Sequence, residues 1–205
     1  MKAECRKNPT LGVKRVKFKT AGHKTWSEAE IERFEAKHPI GSRARLAFAL
    51  LLYTGQRRSD VLRMGRQHIH KGVDQGKTKV TEESHLEIPV HPHLPATIDA
   101  TPTGERTFLV TARGEAFVRN SFSNIIREWC DEAECPDVSA HGRRKACARR
   151  LADIGCSTHE IQAITGDASL AEVERYTKAA NRRRLAESAM ERLITSVKCQ
   201  PCGLG

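Results

Sequence analysis

Two clusters in this 205-residue chain combine arginine with other groups that bind a phosphate. The run Thr54-Gly55-Gln56-Arg57 predicts a tight turn that presents Arg57 at a helix N-terminus, where backbone N–H groups already favour an anion. His141 and Arg144 are three residues apart, so on a helix they share one face. A guanidinium can bind two phosphate oxygens at once. Each cluster alone is equally consistent with a solvated turn or a basic surface helix.

A third cluster, Val173-Glu174-Arg175-Tyr176-Thr177, contains one of the two tyrosines in the chain. The other, Tyr53, ends an apolar run and is predicted to lie in the core. Tyr176 has charged neighbours, so its phenol is predicted to be accessible. A tyrosine oxygen can form a covalent bond to a substrate as a nucleophile. Taken alone, an exposed tyrosine is more often an ordinary surface residue.

The three clusters, in this order, resemble the tyrosine recombinase (phage integrase) family. In that family an arginine after a T-G-x turn, an H-x-x-R box and a late tyrosine build one phosphate site. The matching segments are 50–62, 139–145 and 164–177, and the resemblance covers roughly residues 25–195. It implies a DNA breaking-rejoining catalytic domain, mainly α with a small antiparallel β-sheet (α+β).

The resemblance also implies a role for each residue. Arg57 and Arg144 would clamp the scissile phosphate and stabilise the charge of the transition state, and His141 would hydrogen-bond the same phosphate. Tyr176 would attack phosphorus, leaving a 3′-phosphotyrosine and a free 5′-hydroxyl. Because the ester keeps the bond energy, no cofactor or metal is expected. Further basic residues are predicted to contact DNA: Arg58, Arg143, Lys145 and Arg149.

The general acid for the leaving 5′-oxygen has two candidates. The family uses a lysine on a β-hairpin for this step. Lys77 matches the usual K-T dipeptide, whereas Lys79 lies nearer the usual distance from the Ile88-Pro89-Val90 strand. Both lysines therefore remain candidates, and either one is equally consistent with a solvated hairpin residue.

Asp167 departs from the family pattern. The family normally has histidine or tryptophan at this position, where it donates a hydrogen bond to the phosphate. An ionised carboxylate only accepts hydrogen bonds and would repel a phosphate. We therefore expect either that Asp167 turns away to cap the helix region at Ser169, or that activity is reduced.

Capping residues and apolar periodicity predict the elements that position these residues. Helices are predicted from Ser27 to before Pro39, Ser42 to Gly55, Ser59 through Leu62, about Ser121 onward, Ala140 to Gly155 with Ser139 as the cap, after Ser157 and Ser169, and from about Asn181 to Ile194. Three β-branched or alternating segments, 77–81, 85–90 and 106–110, predict the small antiparallel sheet.

The charge distribution favours a nucleic-acid partner. The net charge is +10, and residues 1–24 carry eight Lys or Arg against a single acid. We divide the chain into a basic arm (1–24), a tyrosine recombinase catalytic domain (25–197) and a flexible tail (198–205). No signal peptide or membrane span is predicted, so we expect a cytoplasmic protein, associated with the nucleoid when bound to DNA. The odd count of seven cysteines predicts reduced thiols.

The expected function is site-specific recombination of double-stranded DNA, with integration or excision carried out by a tetramer on DNA. Full-length members of the family carry a helical DNA-clasping domain before the catalytic domain, and the region of resemblance does not include one. That absence and Asp167 favour one alternative, a catalytically weak or inactive DNA-binding remnant. Another alternative is relaxation of supercoiled DNA by the same chemistry.

Overall fold

The computed structural model describes residues 23–70, 75–79 and 85–198, with residues 70, 75–79, 85, 176, 179, 180, 197 and 198 described by their backbone alone. Most of the predicted arm and tail lies outside this part. The helices are α1 (Glu28–Lys37), α2 (Arg43–Thr54), α3 (Arg58–Val61), α4 (His93–Asp99), α5 (Arg119–Glu132), α6 (Ala140–Asp153), α7 (Thr158–Thr165) and α8 (Leu170–Lys198). The strands are β1 (Ile69–His70), β2 (Gln75–Lys79) and β3 (His85–Pro89). The predicted class, mainly α with a small antiparallel sheet, is confirmed.

Local capping bonds fix several of the helix starts that the sequence predicts. The Ser27 hydroxyl accepts from the Glu30 amide, and the Glu30 carboxylate accepts from the Ser27 amide at 2.8 Å, which completes a capping box. Ser42 caps α2, and Ser139 caps α6 by accepting from the Gly142 amide. These starts depend on residues close in sequence, so the pattern alone could predict them.

The sheet differs from its prediction. Its strand order is β1-β2-β3, with both pairs antiparallel. The predicted strand 106–110 is wrong, since this segment forms only an isolated bridge between Val110 and Ala116. The Phe108 amide instead donates to the Met64 carbonyl at 2.8 Å, which ties the segment to the chain after α3. Burial of Phe108 and Leu109 in the core explains the apolar pattern that resembled a strand.

Two helical predictions also need correction, and one helix lies where none is predicted. The short helix begins at Arg58 with Arg57 in the cap position, so Ser59 does not cap it. The predicted separate helix at Asn181–Ile194 is part of the continuous α8, because no glycine or proline interrupts residues 170–198. Helix α4 was not predicted; its sequence, HLPATID, has too few residues for a clear period.

Helix α2 forms the centre of the core and carries the first cluster at its C-terminal end. Most of its side chains are buried, and Phe48 packs with Phe34 and Trp26 at ring-centroid distances of 4.7 and 5.4 Å. Helices α6, α7 and α8 meet through a smaller apolar cluster of Ala148, Ala152, Ile161 and Val173. The three sequence clusters are thus carried by elements that pack on one another. None of the helices in the described ranges has the length and hydropathy needed to cross a membrane.

Candidate active site

The turn between α2 and α3 holds Arg57 at the surface. Gly55 ends α2 in the left-handed conformation, with φ of 62°. A Cβ at this position would approach the Cys147 sulfur at 3.0 Å, so crowding and the left-handed backbone both favour glycine. The fully buried Gln56 donates from Nε2 to the Ile164 carbonyl at 2.7 Å, which ties the turn to the end of α7. Arg57 follows and is exposed, and no side-chain hydrogen bond or ion pair joins it to the described residues.

A basic cavity of about 440 Å³ lies beside this turn. The residues that line it come from both of the first two clusters and include no acid: His23, Arg57, Arg58, Ser59, Arg119, Ser139, Ala140 and His141. The structure therefore brings Arg57 and His141 to one site. His23 and Arg119 were not predicted, because no spacing motif connects them to the clusters; only their basic or titratable character could have suggested them.

His141 is held as a neutral imidazole at neutral pH. Its ring lies 4.9 Å from the His23 ring, measured between centroids. Desolvation is the largest cause that lowers the pKa of His141, and the charges of His23, Lys145 and Arg144 lower it further, while Asp167 opposes them. A neutral imidazole can accept a proton or a hydrogen bond, so His141 can take part in proton transfer at this cavity.

Arg144 lies behind the cavity in a buried ion pair. Its side chain is 3% exposed, as is that of Asp167. Nη1 of Arg144 donates to the Gly55 carbonyl at 3.0 Å, and Nη2 donates to one oxygen of the Asp167 carboxylate. The other Asp167 oxygen accepts from the Thr165 hydroxyl at 2.9 Å. The alternative in which Asp167 turns away to cap the Ser169 region is therefore wrong, since its carboxylate binds Arg144.

Tyr176 lies in the second turn of α8, between the buried residues Val173 and Thr177. At 1.5 Å per residue, its Cα lies about 9 Å along the helix from Leu170. Lys145 of the second cluster lies close enough to this region for the charge of Arg175 to act on it. Its ammonium group donates to the His23 carbonyl, and desolvation followed by the charge of Arg175 lowers its pKa. The Tyr176 side chain lies outside the described part of the structure.

The two general-acid candidates lie in the central strand of the sheet. In the antiparallel register, Lys77 is opposite Glu87 and Lys79 is opposite His85. The side chains of both lysines lie outside the described residues. The structure places Arg57 and His141 on one cavity and pairs Arg144 with Asp167, and the catalytic roles of these residues, of Tyr176 and of the two lysines stay predictions.

Arg143, predicted to contact DNA, is instead a core residue. It is 1% exposed, and its guanidinium lies 4.3 Å from the Trp26 ring centroid and 4.9 Å from that of Phe34. Burial lowers its pKa to about 10, so it stays charged at neutral pH. Its Nε and Nη1 atoms have no hydrogen-bond partner among the described residues. The predicted contact with DNA needs correction, because the aromatic cage separates the charge from any solvent-borne phosphate.

This burial predicts a large loss of stability for one substitution at Arg143 and a small change for another. Arg143→Ala should lower the free energy of unfolding by about 3–5 kcal/mol, because it leaves a cavity among large aromatic rings. Arg143→Met fills the same volume and removes two unsatisfied buried nitrogens, so we expect a change of less than about 1.5 kcal/mol. Urea unfolding followed by circular dichroism measures both. Equal destabilisation by the two variants would contradict the packing explanation.

Arg149 is also engaged within the protein. It donates to the Trp26 carbonyl at 2.9 Å and to the Glu28 carboxylate, and its Nε lies 3.6 Å from the Asp153 carboxylate. Two acids already balance its charge, so the structure does not support a predicted contact with DNA. By contrast Arg58 lines the basic cavity, where it donates to the Ser123 hydroxyl.

Comparison with known proteins shows the family and the fold. Residues 27–183 match the model of the Phage integrase family. The tyrosine recombinase XerD of Ralstonia nicotianae is 26% identical over 178 residues, which cover 78% of this chain and 57% of that protein. The tyrosine recombinase XerC of Bifidobacterium longum is 33% identical over 66 residues, covering 32% of this chain and 19% of that protein. The chain thus spans about three fifths of the length of the XerD relative.

Solved structures show the same fold. The crystal structure of XerA recombinase superposes with a TM-score of 0.69 at 19% identity, covering 82% of this chain and 66% of that one. A lambda integrase dimer bound to a COC′ core site gives a TM-score of 0.60 at 18% identity, covering 75% and 59% of the two chains. Because the family model matches residues 27–183 of the 205, the chain belongs to the phage integrase family of tyrosine recombinases.

Proposed function

We propose that this chain cleaves and rejoins double-stranded DNA at specific sites through a 3′-phosphotyrosine intermediate. One observation carries the proposal: Arg57 and His141, from separate sequence clusters, line one basic cavity. The turn that holds Arg57 is hydrogen-bonded to Arg144 through the Gly55 carbonyl. Membership of the phage integrase family supports the same chemistry.

The reaction assigns one step to each group. The Tyr176 oxygen attacks phosphorus as the bond from phosphorus to the 5′-oxygen breaks, while Lys77 or Lys79 gives a proton to that leaving oxygen. His141 takes up the phenolic proton, and Arg57 binds the non-bridging oxygens, where negative charge grows in the transition state. Attack by a 5′-hydroxyl on the phosphotyrosine reverses these steps and rejoins the strand.

Duplex DNA is the partner that the charge distribution favours. The chain carries a net charge of +10, and three arginines line the cavity. Arg58 and Lys145 are the predicted flanking contacts that remain compatible with the structure. Such contacts release counterions, so affinity should fall steeply as salt increases. The protein would then be associated with DNA in the cytoplasm.

Assembly into a tetramer on DNA is part of the proposal. The C-terminal half of α8 exposes apolar side chains that a folded monomer would ordinarily cover: Leu185, Met190, Leu193 and Ile194 are 60, 56, 57 and 52% exposed. Such a face is typical of a surface that binds another copy or partner. Sedimentation with and without a duplex would show whether DNA raises the oligomeric state.

A nicked suicide duplex tests the proposed chemistry. Cleavage near the nick releases a short 5′-hydroxyl strand and traps the covalent intermediate. We expect a protein–DNA adduct on a denaturing gel with the wild-type chain, and none with Tyr176→Phe, which keeps the ring and removes only the nucleophilic oxygen. Tyr53→Phe is the matched control and should leave the adduct unchanged. An adduct that persists in Tyr176→Phe would contradict the assignment.

The second candidate function is DNA binding without cleavage. The burial of Arg144 against Asp167 favours it, because a neutralised and covered arginine does not stabilise a phosphate transition state. Retention of a duplex on a native gel, with no adduct on the suicide substrate, would support this candidate.

A further inference from the structure

Arg144 is the second of the two arginines proposed to bind the phosphate, and it is paired with Asp167. Both side chains are 3% exposed. Arg57 and His141 line the basic cavity, whereas Arg144 does not. In this arrangement the cavity presents one of the two proposed phosphate clamps, and the other is covered.

The hydrogen bonds of Arg144 show what covers it. A guanidinium binds a phosphate with two parallel N–H groups, one to each of two oxygens. Here Nη1 donates to the Gly55 carbonyl at 3.0 Å, and Nη2 donates to the Asp167 carboxylate. A carboxylate therefore takes the kind of bond that a phosphate oxygen would otherwise accept.

Asp167 is itself held in place by two further hydrogen bonds. Its second carboxylate oxygen accepts from the Thr165 hydroxyl at 2.9 Å, and its backbone carbonyl accepts from Gln162 Nε2 at 2.9 Å. Both partners lie on α7, whose end is tied to the Arg57 turn by Gln56. The acceptor is thus fixed before any DNA arrives, which strengthens its hold on Arg144.

We propose that Asp167 is a positioning residue that holds Arg144 in a phosphate-excluding state. Duplex DNA must then compete with the Asp167 carboxylate for Arg144 before the strand is cleaved. The inference rests on the proposed function for its cleavage step. It adds a restraint on that step, namely the hold of the Asp167 carboxylate on Arg144. Its physical basis is that two acceptors of the same charge compete for a single guanidinium.

Removing the charge at Asp167 tests the restraint. Asp167→Asn keeps the size of the side chain and removes its negative charge, so the ion pair is lost and the remaining amide oxygen competes more weakly for Arg144. We expect the rate of adduct formation on the suicide duplex to rise at least about 10-fold, since one well-placed donor is worth about 10²–10³ in rate. Affinity for an intact duplex should also rise, with the slope of log K against log salt steeper by about 0.9, as expected for one more phosphate contact.

A double-mutant cycle in binding affinity tests whether Asp167 acts through Arg144. Arg144→Gln is the reference of the cycle, and its measured affinity is the value with which the double variant is compared. Adding Asp167→Asn to Arg144→Gln should give no increase, because no guanidinium remains to be freed. Asp167→Ser, which is smaller and also neutral, repeats the test if Asp167→Asn does not fold, and near-ultraviolet circular dichroism shows whether each variant is folded.

The outcomes separate the restraint from the proposed function. A wild-type adduct with no gain in rate, affinity or salt slope in either neutral variant overturns the restraint and leaves the proposed function intact. Tighter binding by the neutral variants, with no adduct from any chain, supports the restraint and removes the cleavage chemistry. A gain that persists in the presence of Arg144→Gln also overturns the restraint, because a general change in surface charge would then explain it.

Discussion

Arg57→Ala is expected to lower the rate of strand cleavage by about 10²–10³-fold, the cost typical of losing one transition-state donor. Arg57 lines the basic cavity, is exposed and has no side-chain hydrogen bond or ion pair with the described residues. Its loss should therefore leave the free energy of unfolding within about 0.5 kcal/mol of the wild type. Single-turnover kinetics on the suicide duplex measures the rate.

Two controls separate geometry from charge at this position. Arg57→Lys keeps the positive charge but loses the planar two-pronged contact, so its rate should fall between those of the wild type and Arg57→Ala. Arg63→Ala removes the same charge from an exposed neighbour that does not line the cavity. A rate for Arg57→Ala equal to that of Arg63→Ala would show that Arg57 acts only through the overall charge.

Arg144→Ala should instead cost stability, in contrast to Arg57→Ala. The substitution leaves the Asp167 carboxylate buried without its counter-charge, which costs roughly 3–5 kcal/mol in the free energy of unfolding. It also removes the donor to the Gly55 carbonyl, which holds the turn before Arg57. Urea unfolding followed by circular dichroism measures the loss.

The double variant Arg144→Ala/Asp167→Ala is the matched control. It removes both charges, so it should be more stable than Arg144→Ala alone even though it leaves a larger cavity. If the single variant were as stable as the wild type, the buried ion pair would not contribute to the fold, and the contact between the two side chains would not persist in solution.

Helix boundaries were predictable where a cap lies within a few residues of its partner. Ser27, Ser42 and Ser139 each accept a bond from an amide three residues later, so sequence alone contains the interaction. The prediction of a strand at 106–110 is wrong because its apolar pattern indicates burial and does not specify the hydrogen-bond partners of its backbone. Its amide at Phe108 pairs with Met64, far away in sequence.

The same limit applies to the basic residues of the second cluster. Arg143 and Arg144 are adjacent in sequence and equal in charge, yet one is enclosed by Trp26 and Phe34 and the other is paired with Asp167. Their environments come from α1 with the residues just before it, and from the loop before α8, and no local pattern around residue 143 specifies either. The type of chemistry was predictable from the order of the clusters, whereas the exposure of each arginine was not.

The contacts of Asp167 are the feature of the site that the sequence could least predict. From the sequence, a carboxylate in place of a hydrogen-bond donor indicated either a cap or a defect in the site. Its contacts with Arg144 and Thr165 show a third arrangement, a buried acceptor for the arginine itself. The sequence contains both residues, but only the packing of α6 against the α7–α8 loop brings them together.

Mass-spectrometric mapping of the trapped adduct is the most direct test of the central claim. The chain has only two tyrosines, Tyr53 and Tyr176, so the position of the linked nucleotide is unambiguous. Digestion of the adduct with nuclease and protease should yield a peptide that contains Tyr176 and carries a 3′-phosphonucleotide. A nucleotide on Tyr53 or on any other side chain, or unmodified Tyr176 in a chain that is covalently linked to DNA, would contradict the proposed mechanism.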